Sequence, residues 1–291
     1  MLKTILIITI SVLDLGAVET AFEAHLDYAT VERGTVSEVL GSVWNAPASA
    51  GRQYVMMRPA SEAEVYLRFV AGPAVVGYAP LTTWGWNATE LLVTDPDALA
   101  ARLEGTPFEV IGRPKDLWDA PDAPRAMQTL GPANEVLYLT RNPDFPTLAA
   151  VDRVFIMVVG GPSMTALSEF YTAQLGLPVG QATPFPISVL ARAQGLPAAT
   201  TYPLAIATIS EDFLIELDEY PTAVGPRPIA SGHLPPGTAM VSFEVDSLDK
   251  FDLIWRTEPK AIDAFPYDGR RVAVTVGPAG EWIELIETVG P

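Results

Sequence analysis

Hydrophobic positions along the chain follow one recurring order. ILIITISV is a mostly apolar run of strand length. AVETAFEAHLDY follows, with Ala21, Phe22, Ala24 and Leu26 on the buried side of a helix. VFIMVV and SMTALSEFYTAQLGL repeat the order, with Gly176 at the helix end, where positive φ is often needed. In ATELLVTDPDALAARLEG, Asp95 predicts an N-cap and Pro96 a first helical position. In AMVSFEVDSLDKFDLIW, Ser247 or Asp246 predicts the cap of a fourth helix. Shorter strand-like runs come next, such as QYVMMRP and EVYLRFV, or YPLAIATI and FLIELDE. The pattern predicts four units, each a strand, a helix and about three further strands. Lys3 and the apolar run after it resemble a signal peptide. The run is short, Asp14 ends it and no small-x-small site follows, so it reads as a buried first strand.

Longer-range repetition groups the units. GPAGEWIELIE (Gly277–Glu287) echoes GPANEVLYLTR (Gly131–Arg141), AQLGL echoes AHLDY, and ISVL echoes SEVL. All three pairs lie about half the chain apart, which indicates a duplicated half-chain. Segments rich in proline and glycine separate the units at 71–80, 141–146 and 220–237. The expected organisation is an N-terminal domain over 1–145 and a C-terminal domain over 146–291, two modules each.

Composition narrows the function. A net charge of −17 disfavours nucleic acid and anionic membranes as partners. No cysteine is present, which excludes disulfides and thiolate chemistry. No stretch is apolar for long enough to span a bilayer, and the expected location is cytoplasmic. No Ser-His-Asp order, P-loop or dinucleotide fingerprint occurs.

The order strand, helix, FYxxxLGL and a closing GPxGxxIEL resembles the vicinal oxygen chelate superfamily of glyoxalases, bleomycin-resistance proteins and extradiol dioxygenases. The residues concerned are Ser163–Met164, Phe170–Tyr171, Leu175–Gly176–Leu177, Gly277 and Glu284–Leu285. The resemblance implies an α+β fold of four βαβββ modules, paired into two open, barrel-like half-sheets that cup a site. It also implies metal ligands on the first and last strands of each module. Transferred by motif, the first-strand positions are Ile7, Ala88, Ile156 and Met240, none of which binds a divalent ion. The last-strand positions are Arg68, Tyr138, Glu216 and Glu284. Paired within each half, the N-terminal cup would hold no acid and the C-terminal cup would hold Glu216 and Glu284.

Period two puts Trp282, Glu284 and Ile286 on one strand face, and Leu214, Glu216 and Asp218 on another. Burial and mutual repulsion would raise the pKa of at least one acid, which suits a general base. Glu216 and Glu284 are therefore the catalytic candidates. Ile156, Met240, Trp282, Tyr267 and Arg270 are the substrate-binding candidates, with Arg270 available to clamp a carboxylate or enolate. The alternative for each acid is simple pairing with Arg153, Arg270 or Arg271. His25 reads as a rim residue and His233 as a loop residue near the fourth unit; Trp84 and Trp86 suit either an aromatic pocket or the core. No metal or cofactor is expected; magnesium, manganese or calcium held by Glu216 and Glu284 is the alternative. The expected activity is metal-independent proton transfer beside a carbonyl, as a lyase or isomerase, on a small hydrophobic or aromatic oxygenated compound. The rivals are a non-catalytic small-molecule binder and a purely structural relative. Four modules in one chain can complete both cups, so a monomer or a homodimer is expected.

Overall fold

The computed structural model describes residues 1–288. Module one runs β1 (Leu2–Val12), α1 (Leu15–Leu26), β2 (Tyr28–Thr35), α2 (Glu38–Val43), β3 (Gln53–Pro59) and β4 (Tyr66–Ala71). Module two has β5 (Gly85–Val93), α3 (Pro96–Leu103), β6 (Glu109–Asp116), β7 (Arg125–Leu130) and β8 (Val136–Arg141). Module three has β9 (Val151–Gly161), α4 (Met164–Glu169), β10 (Thr183–Pro186), α5 (Ser188–Ala193), β11 (Thr201–Thr208) and β12 (Leu214–Glu219). Module four has β13 (Gly237–Val245), β14 (Lys260–Ile262), β15 (Arg270–Val276) and β16 (Trp282–Glu287). The fold is α+β, with the expected four βαβββ-like modules in two curled sheets.

Local chemistry sets the helix ends. The Asp14 carboxylate accepts from the Ala17 amide at 3.0 Å, and that of Asp95 accepts from the amides of Asp97 and Ala98. Ser163 caps α4, and Gly176 beyond it takes φ +72°. Module four departs from expectation. Ser247 caps only a 3₁₀ turn, Leu248–Lys250. The following FDLIW stays irregular, with Phe251, Leu253 and Trp255 packed on the core and Asp252 and Ile254 exposed. Its apolar side chains alternate with period two, which a helix cannot bury on one face.

The two GPxxE segments form the same turn. Gly131 N–H donates to the Glu135 carbonyl and Gly277 N–H to that of Glu281, both at 2.9 Å. Each glutamate then folds back to accept a backbone amide, from Ala133 or Ala279, at 2.8 Å. A Cβ on either glycine would collide with that carboxylate, so the glycines are there for the close approach.

The strand order corrects the expected pairing of modules. One eight-stranded sheet runs β14-β15-β16-β13-β1-β4-β3-β2 and the other β10-β11-β12-β9-β5-β8-β7-β6. Module one therefore pairs with module four, and module two with module three, so 1–145 and 146–291 do not each close a cup. The junctions are antiparallel: β1 meets β13 with Ile5 opposite Phe243, and β5 meets β9 with Thr89 opposite Met157. Each sheet still joins one module of each repeated kind. Repetition identifies which modules are alike, and either pairing satisfies it. A shared apolar core, including Phe22, Leu137, Val159 and Phe243, lies outside both cups. Trp86 Nε1 donates to the Trp282 carbonyl at 2.8 Å and ties the sheets together.

Candidate functional site

The cup of modules one and four is filled by its own side chains. Arg68 on β4 and Glu284 on β16 meet at 3.7 Å with 1% and 0% exposure. Glu284 accepts from Trp44 Nε1 at 2.7 Å, Ser242 Oγ at 2.5 Å and the Tyr267 hydroxyl at 3.0 Å. Arg68 donates to Thr9 Oγ1 and the Tyr267 hydroxyl and lies 4.7 Å from the centre of the Trp44 ring. Every charge here has an opposite charge and several hydrogen bonds, as a stable buried pair requires. Ile7, Met240, Trp282 and Ile286 pack around it.

The cup of modules two and three encloses a cavity of about 310 Å³. Ile156, Ile187, Val189, Leu204, Ile206 and Leu214 give it apolar walls. Lys115 comes from the end of β6, Leu117 and Trp118 from the β6–β7 connection, and Phe185 from β10. The polar groups reaching it include Glu90, Gln128, Tyr138, Thr140 and Glu216. The register explains their convergence. Glu90 on β5 lies opposite Tyr138 on β8 and Ile156 on β9, while Glu216 on β12 lies beside Val158 on β9. Two acids thus enter one cavity from strands on either side of β9.

These acids lack the compensation found in the other cup. Among the described residues, none of Glu90, Glu216 or Asp218 forms an ion pair. Glu90, 5% exposed, accepts from Thr140 Oγ1 at 2.5 Å. Asp218, 1% exposed and on the same face of β12 as Glu216, has no donor for either carboxyl oxygen. Burial pushes the Glu90 carboxyl up to about 7, against the Thr140 hydrogen bond, and that of Asp218 up to about 8. Glu216 is raised well above the usual range by burial, and further by Asp218 and Glu90.

The site candidates therefore separate. Glu216 and Ile156 face the cavity, whereas Glu284, Met240, Tyr267 and Trp282 belong to the other cup. The expectation that Glu216 and Glu284 share one hollow fails because β12 and β16 lie in different sheets. Glu284 is neutralised by Arg68, and Tyr267 is buried against both. Arg270 pairs with Glu244 at 2.5 Å and donates to the Tyr267 carbonyl, so it stands at the filled cup and not over the cavity. Trp282 lies under Arg256, 3.7 Å from its ring centre, and with Trp84 and Trp86 borders a separate pocket between the sheets. The suggested arginine partners are engaged elsewhere: Arg153 with Asp212, and Arg271 with Asp249 and Glu287.

Glu90 was missed because the motif transfer selected Ala88. An acid within the apolar run GWNATELLV, two residues on and on the same strand face, was the available signal. Among the described residues no group of three or more His, Cys, Asp or Glu side chains is placed to hold a metal ion. Magnesium, manganese or calcium held jointly by Glu216 and Glu284 is excluded by their placement in different sheets. The donors in this cup do not fit the divalent ion that the resemblance implies. No described helix is long and apolar enough to cross a membrane.

No family model matches the chain, and no curated protein matches it. Solved structures do. Glyoxalase I from Zea mays is similar with a TM-score of 0.66 and 13% identity, over 98% of this chain and 92% of the maize chain. A variant of that enzyme reaches 0.68 at the same identity, over 98% of this chain and 94% of its own. A putative dioxygenase from Bacillus subtilis gives 0.61 at 12% identity, over 98% of this chain and 85% of the other. Four modules in two cupped sheets, matched along nearly the whole chain, give this protein the fold of glyoxalase I from Zea mays.

Proposed function

We propose that the cup of modules two and three binds a small, largely apolar carbonyl compound and moves a proton beside its carbonyl without a metal. The observation that supports this is the pair of cavity-facing acids, Glu90 and Glu216, which have no cation partner and raised pKa values. An acid that titrates near neutrality exchanges protons with little driving force lost in either direction. In this reading the protonated carboxyl of the pair donates to the carbonyl oxygen. The other, deprotonated, takes the adjacent proton. Tyr138 and Gln128 orient the bound molecule, and the apolar walls keep water away from it. The reaction class is that of a lyase or isomerase, and the protein acts as a soluble cytoplasmic monomer or homodimer.

The second reading is a binder without chemistry. It is favoured by the scarcity of polar groups on the cavity walls, which suits retention of an apolar molecule. A thermal-shift screen of aromatic ketones, α-keto acids and their esters, followed by turnover assays on each hit, separates the two. The enzyme reading expects Glu216→Gln and Glu90→Gln to abolish turnover and keep binding. Binding that survives while wild type turns over none of its ligands supports the binder instead.

A further inference from the structure

The two cups answer the same electrostatic problem differently, and the difference points to a ligand. In the first cup the last-strand positions hold Arg68 and Glu284, which neutralise each other. In the second cup the repeat puts Glu216 where Arg68 stands and Tyr138 where Glu284 stands. The cation is gone and the acid count has risen: Glu90 also lines the cavity, and Asp218 is buried two residues from Glu216 on the same strand face. We propose that the occupant of this cavity is a lipophilic organic cation, an aromatic or alkylated ammonium compound whose charged nitrogen takes the place that the Arg68 guanidinium fills in the other cup. This deepens the proposed function by naming the ligand class of the same site, and rests on that cup being where a ligand binds.

Three further observations agree. Asp218 is buried beside Glu216 with neither carboxyl oxygen hydrogen-bonded, an arrangement that a bound cation would relieve. Phe185, Tyr138 and the half-exposed Trp118 line the cavity with the apolar walls, and aromatic lining suits an ammonium with hydrocarbon substituents. The net charge of −17 concentrates cations near the protein and repels anions. The remaining titratable groups near these acids are the hydroxyls of Tyr138, Tyr202 and Tyr220, and Lys115 on the cavity lining. Lys115 is exposed and forms no ion pair with the acids. A bound cation favours the ionised carboxylate, so its binding releases protons and strengthens as pH rises from about 6 to about 8. Within the proposed reaction, that proton loss would leave Glu216 ready to act as the base.

The test is titration calorimetry of the intact protein with benzyltrimethylammonium and with its uncharged isostere neopentylbenzene. The permanent charge keeps the probe's own titration out of the result. The cation is expected to bind at least about tenfold more tightly than the isostere near pH 8, with proton release seen as a heat that depends on the buffer. Glu216→Gln, or Asp218→Asn if the first variant folds poorly, is expected to remove that preference and leave isostere binding in place. Val189→Trp, which fills the cavity, is expected to abolish binding of both. Equal or tighter binding of the isostere, or cation binding that these variants leave unchanged, would overturn the proposal. Isostere binding that Val189→Trp abolishes, without any cation preference, sinks the cation and keeps the cup as a ligand site. If neither probe binds, the cation proposal falls, and the screen of carbonyl compounds decides whether the cup is a ligand site.

Discussion

In the cup of modules one and four, Glu284 faces Arg68, and Trp44 and Tyr267 close over the pair. In the cup of modules two and three, the matching last-strand positions hold Tyr138 and Glu216, and a cavity of about 310 Å³ remains. The helix that opens with the SEVL echo contributes to the contrast. Trp44 ends α2 and reaches Glu284, whereas Gln194, at the matching place after α5, bonds to the Leu81 carbonyl and to the Tyr202 hydroxyl. The same scaffold therefore carries one cup stabilised from within and one left open and acidic. Stability is expected to reside in the first and ligand chemistry in the second, since sites for function often carry groups that do not favour folding.

Four substitutions or conditions would break or sharpen that contrast. Arg68→Met should have the largest effect: it leaves Glu284 buried without a counter-charge, at a cost of about 3–5 kcal/mol in denaturant unfolding. A loss below about 1 kcal/mol would mean that the first cup is not held by this pair. Trp44→Phe keeps an aromatic side chain but a smaller one and removes the Nε1 donor to Glu284, with an expected loss of about 1–3 kcal/mol by the same measurement.

The second cup should respond to pH. Glu90 and Asp218 have folded-state pKa values of about 7 and 8, above the ordinary 4.5 and 3.8, and Glu216 is raised as well. The folded protein thus holds protons that the unfolded chain has released. Their contribution to stability is fully present below the ordinary values and is lost as pH rises toward 7 to 8. The slope should be on the order of 1 kcal/mol per pH unit for each group, and Glu90→Gln should flatten it. Unfolding midpoints from pH 5 to pH 8 would show this, and a flat profile would contradict it. Glu216→Gln completes the series. Burial raises the Glu216 carboxyl, so the folded protein holds its proton more firmly than the unfolded chain; glutamine removes that cost, and stability should rise relative to wild type as pH increases from 5 to 8 and change little at the acid end.

Local signals in the sequence were reliable because their causes are local. Asp14, Asp95 and Ser163 cap helices through their own side chains, and Gly176 takes the left-handed conformation that few other residues tolerate. The faces of the last strands were legible too: period two places Leu214 and Glu216 on the cavity and Trp282 and Ile286 in the filled cup. What was not legible is the pairing of modules. It depends on the edges of β1 and β13, far apart in the chain, and the repeat is compatible with either arrangement. That single error moved Glu284 into the wrong cup and hid Arg68 as its partner. The helix expected after Ser247 failed for a different reason, since the alternation of Phe251, Leu253 and Trp255 had been read as helical.

The most direct test of the account is a carboxyl ¹³C NMR titration of protein labelled at glutamate, assigned with Glu90→Gln, Glu216→Gln and Glu284→Gln. The account predicts that the Glu90 and Glu216 signals remain those of protonated carboxyls at about pH 6, where exposed glutamates have already ionised. Ionisation of Glu90 and Glu216 together with the surface glutamates, in the ordinary range near 4.5, would contradict the claim that this cup holds acids without compensation.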